Sequence, residues 1–182
     1  MDLSRHLKAP VQAAACAAGL ASAALGPPSR AEPVPEGGVT ADQVAAVLRD
    51  KGYAAQISKD STGDPQIRSG AEGVSFTIYF YGCQQGPRCA SIEFSSAYHV
   101  EAGMKLADVN GWNLKNRYGR SYIDSVNDPH MEMDLSLEHG GTTEAIGAAI
   151  ETWDSVLASF QHMVRCASAP STEGCAPPGS GK

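Results

Sequence analysis

The side chains best suited to acid–base chemistry lie close together in the C-terminal half of the chain. They are His130, Glu132, Asp134 and His139. Imidazole and carboxylate groups in one cleft are the usual general acids and bases of hydrolases. In a strand over 131–137, however, alternation places the carboxylates on the solvent face, where they are most often only hydrated. A small periplasmic hydrolase, or a sensor that binds a ligand or metal at these residues, is therefore the alternative function.

A copper site is a second interpretation of this segment, because Met131 and Met133 stand beside His130 and copper accepts thioether and imidazole ligands. Side chains alternate along a strand, so both methionines share a face with Leu135 while His130 points the other way. Methionines in this arrangement are typical of a hydrophobic core. The chain also lacks a G-x-S-x-G nucleophile elbow and a glycine-rich phosphate loop. We expect no metal, no cofactor and no enzymatic activity.

The N-terminal segment predicts a secretory signal peptide over residues 1–31. Arg5 and Lys8 form a basic segment, residues 11–25 are apolar and rich in alanine, and small residues stand at the two positions that a signal peptidase reads. The apolar run is too short and too rich in alanine for a good membrane-spanning helix. We expect a periplasmic or secreted protein without stable membrane insertion. The alternatives are a leader on a cytoplasmic protein, and a lipoprotein anchored at Cys16, which lacks a large aliphatic residue three positions before it.

Four cysteines remain after this segment, namely Cys83, Cys89, Cys166 and Cys175. An even number in an exported chain is typical of disulfide bonds. Of the three pairings that four cysteines allow, we favour Cys83–Cys89 and Cys166–Cys175, because each pair is close in sequence and brackets a turn-like segment. A metal site made of four thiolates is the alternative. The gaps of five and eight residues within the pairs disfavour it, since structural zinc sites use shorter gaps.

The charge of the chain bears on its partners. Cleavage of the leader would leave 11 basic and 19 acidic residues, which is a formal net charge of −8. A surface of this charge repels the phosphates of nucleic acids and the headgroups of anionic lipids. We therefore expect a protein partner and no nucleic acid.

The elements that position these residues follow from hydrophobic periodicity. Thr40 is a candidate N-cap, Gln43 completes a capping box for the first helix, and Gly52 ends that helix. The clearest strand is 74–81, where apolar and polar residues alternate strictly. The remaining predicted elements are strands over 53–59, 90–95, 118–126 and 131–137, a candidate short strand over 66–69, a helix or helix–turn over 104–115 anchored by Leu106, Val109 and Trp112, and a helix from Thr142 or Thr143 to about Val164.

These elements predict an α+β domain over residues 39–166, with an antiparallel sheet of about five strands and three helices in the order α-β-β-β-α-β-β-α. Residues 32–38 contain two prolines and two glycines and predict a linker that is neither helix nor strand. Residues 167–182 are rich in proline, serine and glycine and predict a C-terminal tail, which a Cys166–Cys175 bond would hold.

The segment Asn110-Gly111-Trp112-Asn113, followed by the aromatic and basic strand 117–124, resembles the YbjN family of bacterial domains. Three later features agree with the family pattern, namely Met133-Asp134-Leu135, the Gly140-Gly141 turn and Trp153. The resemblance covers residues 40–165. It implies a fold similar to that of type III secretion chaperones and a role as a sensory transduction regulator. It also implies that a homodimer through a sheet edge or helix face is allowed, and it supplies no catalytic residues.

Two groups of residues are candidate binding sites. Tyr79 and Tyr81 lie on the outer face of the clearest predicted strand, and they form a binding surface unless a helix covers that face. Asn110, Trp112 and Asn113 form the second group. Their alternative role is structural, with the tryptophan in the core and the asparagines bonded to backbone groups at the helix–strand turn. Together these observations favour a non-catalytic exported module with a binding, chaperone-like or regulatory role.

Overall fold

The structure is a computed structural model that describes residues 31–83, 86–169 and 175. Its elements, in chain order, are β1 (Pro33–Val34), β2 (Val39–Thr40), α1 (Ala41–Asp50), β3 (Gln56–Lys59), β4 (Pro65–Ala71), β5 (Val74–Tyr81), β6 (Arg88–Cys89), β7 (Ser91–Ala97), α2 (Leu106–Lys115), β8 (Arg120–Ile123), β9 (Pro129–Ser136), β10 (Gly141–Thr142) and α3 (Thr143–Ser168). The predicted signal peptide up to residue 30 and the tail residues 170–174 and 176–182 lie outside the described residues.

Six strands form one antiparallel sheet in the order β3-β4-β5-β7-β9-β8. The predicted α+β class is confirmed, and the sheet has six strands where about five were predicted. The candidate short strand at 66–69 is the full strand β4, which pairs with β3 on one side and with β5 on the other. Its polar residues show little alternation, and the ladders to its two neighbours hold it in the sheet. Four strands of this sheet therefore precede the second helix, where three were expected.

The three helices pack on one face of this sheet. Trp153 of α3 contacts Phe76 and Phe94, with ring centroids 5.8 and 5.5 Å apart. Trp112 of α2 meets Phe160 of α3 edge-on at 5.2 Å. Aromatic contacts of this kind stabilise a core beyond the area that they bury. None of the described helices is long and apolar enough to cross a membrane.

One predicted anchor of α2 is wrong. Val109 and Trp112 are buried as expected, but Leu106 is 57 % exposed. The helix begins at Leu106 rather than at residue 104. The leucine therefore lies in the first turn, at the end of the element, where most of its side chain remains in solvent.

Helices α1 and α3 begin where the sequence predicts. Thr40 Oγ1 accepts a hydrogen bond from the Gln43 amide at 3.2 Å, and Gln43 Oε1 accepts one from the Thr40 amide at 3.1 Å. This reciprocal capping box satisfies donors that have no partner within the helix. Thr142 caps α3 by accepting a hydrogen bond from the Ala145 amide at 3.1 Å.

The predicted linker over 32–38 is wrong, because part of it forms strand structure on the domain. Pro33 and Val34 form β1, which pairs with β10, and Val34 is buried. Proline is tolerated there because a two-residue strand at a sheet edge needs few backbone donors. Gly38 approaches β6 so closely that a Cβ atom would lie 1.9 Å from the carbonyl oxygen of Cys89. The folded domain therefore begins before the predicted boundary.

Both predicted disulfide pairings occur in the structure. Cys83, just after β5, is bonded to Cys89 in β6. Cys166 lies in the last turn of α3, which continues to Ser168, and is bonded to Cys175. Disulfides that close short loops stabilise mainly by reducing the entropy of the unfolded chain.

Replacing Trp153 by alanine should destabilise the protein by about 3–5 kcal/mol, because it opens a cavity between α3 and the central strands. Urea-induced unfolding with both disulfides intact measures the free energy of unfolding. Leu114 is the control, since its side chain is 88 % exposed, and alanine there should change the stability by less than about 0.5 kcal/mol. Equal losses in the two variants would contradict the central position of Trp153.

Candidate functional site

The second face of the sheet, which we call the open face, has no described helix over it. Its central row crosses five strands and consists of Arg68, Thr77, Ser95, Glu132 and Arg120, each directly opposite the next. Tyr81 is 46 % exposed on this face, and Tyr79 is half-buried. The alternative in which a helix covers these tyrosines is therefore wrong for the described part of the chain.

Five side chains of the open face form a carboxylate network, defined as Tyr81, Glu93, Arg120, Tyr122 and Glu132. The Arg120 guanidinium donates to both carboxylates, at 3.4 Å to Glu93 Oε2 and at 2.5 Å to Glu132 Oε2. The Tyr81 hydroxyl donates to Glu93 Oε1 at 3.2 Å. The Tyr122 hydroxyl donates to Glu132 Oε1 at 2.7 Å. Each carboxylate thus has a tyrosine of its own and shares one arginine.

The two carboxylates are well buried for side chains on an open sheet face, since Glu93 and Glu132 are each 8 % exposed. Burial, with the nearby charge of Glu132, raises the pKa of Glu93 above its usual value. Burial and the adjacent carboxylates also raise the pKa of Tyr81 and the pKa of Tyr122 to about 12. Both hydroxyls therefore remain protonated donors at neutral pH, and the network carries two carboxylates against one guanidinium.

The four residues of the alternative hydrolase site do not form one cleft. His130 lies on the open face, where its ring stacks on Tyr122 with centroids 4.9 Å apart. Glu132 belongs to the carboxylate network, and Asp134 is exposed further along β9. His139 lies in the turn beyond the far end of β9, and the strand between that end and His130 is about 20 Å long at the usual rise per residue. The four side chains are spread along and beyond β9, so they do not form the cleft that the alternative hydrolase function requires.

The methionines of β9 are core residues. Met131 is fully buried, Met133 is 9 % exposed, and His130 lies on the opposite face, as the alternation predicts. Within residues 31–83, 86–169 and 175, no three histidine, cysteine or carboxylate side chains converge as metal ligands would. Because the two methionines face the core and His130 faces the other side of the sheet, these three side chains do not converge as copper ligands would.

A groove with a volume of about 650 Å³ opens on the other half of the open face, over strands β3, β4, β5 and β7. Short side chains on adjacent strands create this depression. The side chains that line it include those of Gln56, Arg68, Ser75, Thr77, Tyr79 and Ser95. Of the predicted binding residues, Tyr79 lines this groove, while the carboxylate network lies beside it.

Trp112 and Asn113 have structural roles. Asn113 Nδ2 donates to the Ser121 carbonyl at 3.0 Å, and Asn113 Oδ1 accepts from the Ser121 amide at 2.8 Å. The side chain thereby satisfies both backbone groups of a residue on the edge strand β8, where a further strand would otherwise pair. Trp112 is buried, and its Nε1 donates to Ser159 Oγ at 3.3 Å. The structure supports the structural alternative for these two residues, and a ligand contact at them or at the exposed Asn110 stays a prediction.

Three features of the open face did not follow from the sequence patterns: Glu93, the bridging role of Arg120, and Arg68 beside the groove. The face of Glu93 was predictable, because alternation in the strand 90–95 places it opposite Ile92 and Phe94. Its contacts were not predictable, because the register between strands that are distant in sequence decides that Glu93 meets Arg120.

A sheet with three helices on one face and a polar open face defines a two-layer α+β domain. The chain belongs to the YbjN family, since the model of that family, described as "Putative bacterial sensory transduction regulator", matches residues 40–165. The family predicted from the N-x-W-N segment is therefore confirmed. No curated protein and no solved structure matches the chain. The similarity of the fold to type III secretion chaperones stays a prediction.

Replacing Asn113 by alanine should cost about 1–3 kcal/mol of stability, because it leaves both backbone groups of Ser121 without partners at a partly buried strand edge. Asn110 offers a matched control in the same motif. It is exposed, so alanine there should change the free energy of unfolding by less than about 0.5 kcal/mol. If thermal and urea unfolding show no loss for Asn113→Ala, the edge-capping role is wrong.

The raised pKa of Glu93 predicts that ionisation of this carboxyl destabilises the fold. The folded state binds the proton more tightly than the unfolded state, so the stability present below the unfolded-state pKa falls as the pH rises toward the folded-state pKa. Glu93→Gln resembles the protonated form at every pH. The variant should therefore become more stable relative to the unmodified protein as the pH rises through the weakly acidic range.

Urea unfolding at a series of pH values measures this difference in the free energy of unfolding. Glu36→Gln is the control, because Glu36 is exposed in the turn between β1 and β2 and should give a difference that does not change with pH. A difference for Glu93→Gln that is constant, or that shrinks as the pH rises, would show that burial does not govern this carboxyl.

Proposed function

We propose that this YbjN domain is an exported, non-catalytic regulatory module that binds a protein partner on its open face. The observation that carries the proposal is the uncovered sheet face with accessible tyrosines, of which Tyr81 is 46 % and Tyr122 is 37 % exposed. Tyrosine is enriched in protein interfaces because its ring is rigid and its hydroxyl can form hydrogen bonds. The family description as a regulator agrees with a binding role. A chaperone-like activity is one form that this binding could take.

The open face supports binding better than it supports catalysis. The members of the carboxylate network bond to one another, and the His130 ring is stacked on Tyr122. These contacts hold each group in a fixed hydrogen-bonded position. A general acid or base must instead reach a proton on a substrate in a shared cleft, and the alternative hydrolase residues are spread along β9.

The charge of the open face favours a partner with basic side chains. Glu93 and Glu132 share the single cation Arg120, and Asp134 lies directly opposite Glu93 on the neighbouring strand. The whole chain has a formal net charge of −6. Such a surface attracts a basic partner during diffusional encounter and repels an acidic one.

Export is part of the same proposal. The two disulfides are compatible with a periplasmic or extracellular location, because such bonds persist in oxidising compartments and are rare in the cytoplasm. The predicted signal peptide supplies the route. A cytoplasmic location would not explain why the chain carries two disulfides.

Site-specific photocrosslinking in cells tests the proposal. A photoreactive amino acid replaces Tyr79 or Tyr81 in the full chain, and the product is detected by immunoblot and identified by mass spectrometry. We expect both positions to give an adduct with the same protein in the periplasmic fraction. Leu114 is the matched control position, because it is 88 % exposed on α2, on the helical side of the sheet, and should give no such adduct.

Two results would overturn the proposal. Adducts at Leu114 as abundant as those at Tyr79 and Tyr81 would show that the open face is not the binding surface. Recovery of the chain in the cytoplasmic fraction with reactive thiols at Cys83 and Cys166 would refute export, whatever the crosslinks show.

A further inference from the structure

We propose that the groove of the open face is a binding site for a small anionic ligand, which Arg68 recognises. The groove is lined by different residues from the carboxylate network, and the inference goes beyond the protein-docking role proposed above. Its volume of about 650 Å³ falls within the range of roughly 300–1,000 Å³ that is typical of small-molecule sites. A metabolite-sized molecule fits such a groove.

The two arginines of the central row have opposite surroundings. Arg120, at one end, is neutralised by Glu93 and Glu132. Arg68, at the other end, is exposed and lines the groove. No carboxylate in the described part of the chain lies within ion-pair distance of its guanidinium. A planar cation with donors and no internal partner is suited to bind a carboxylate or phosphate group.

Five further polar side chains of the groove carry donors that the described residues leave unused. They are the hydroxyls of Ser75, Thr77, Tyr79 and Ser95 and the side-chain amide of Gln56. None of these side-chain groups forms a hydrogen bond with another described residue, whereas every member of the carboxylate network does. Hydroxyl and amide groups can all donate to an oxygen acceptor. Among the described residues, no carboxylate lines the groove, so its chemistry favours an oxygen-rich anion over a cation.

A neutral ligand is less well matched than an anion. A sugar could use the hydroxyls and stack on the ring of Tyr79, but it would leave the Arg68 charge without a partner. A carboxylate or phosphate group satisfies the guanidinium with two parallel hydrogen bonds, and these charge-assisted bonds are about twice as strong as neutral ones. The groove therefore recognises the anionic oxygens of its ligand. Titration distinguishes whether a phosphate or a carboxylate supplies them.

Titration of the ¹⁵N-labelled full chain, with both disulfides formed, tests this assignment by two-dimensional NMR. Inorganic phosphate and succinate are the two anionic probes, and glucose is the uncharged probe. We expect at least one anion to cause saturable shifts that are confined to the amides around Arg68, Thr77 and Ser95. Arg68→Gln should weaken that binding by about tenfold or more, since it removes a charge-assisted contact.

Arg117→Gln is the matched control, because it removes the same charge from an exposed arginine that lies over the ring of Tyr118 outside the groove. It should leave the affinity unchanged, and the dispersion of each spectrum shows whether the variant is folded. The assignment is overturned if neither anion gives saturable shifts at millimolar concentration. It is also overturned if glucose binds as tightly as the anions, or if the two variants weaken binding equally. Failure here would leave the crosslinking result at Tyr81 unaffected, because Tyr81 does not line the groove.

Discussion

The packing of Trp153 on the sheet is the interaction on which the rest of the structure depends. Its ring stacks on Phe94 and meets Phe76 edge-on, which holds α3 over the central strands β5 and β7. Helices α1 and α2 pack on the same side. Because a sheet has only two faces, this arrangement assigns one face to the core. The opposite face then carries most of the polar side chains of the strands, and no described helix covers it.

The two halves of the open face differ in the side chains that surround their arginines. At the β9–β8 end, Arg120 joins Glu93 and Glu132, because carboxylates that are this well buried require charged or donating partners. At the β4 end, Arg68 lines the groove with hydroxyl side chains, and no carboxylate in the described part of the chain pairs with it, so its charge remains available. One half of the face is therefore internally bonded, and the other half is open to an external acceptor.

Much of the fold could be predicted from local patterns. The strict alternation of 74–81 predicted the strand Val74–Tyr81 and its buried face, and the Thr40–Gln43 pair predicted the start of α1. Two strands were predicted poorly, because their local signals were weak or misleading: β4 was expected only as a candidate short strand, and β1 as part of a linker. Strand β4 is polar, and β1 contains Pro33, so both depend on backbone pairing with partners that local sequence does not reveal. Leu106 was predicted to be buried but is mostly exposed. The reason is related, because hydrophobic periodicity does not show where the core ends.

The sequence by itself determined the features that depend on nearby residues. These are the helix caps, the strand alternation, the two local disulfides and the family. Only the tertiary structure decided which side chains meet across the sheet. It brought Glu93 to Arg120, directed Asn113 to the edge at Ser121, and left Arg68 beside a groove. The physical reason is register, since a shift of one residue between two strands sends every side chain to the other face. Register is set by packing and pairing over the whole domain, so no local pattern could place the candidate site.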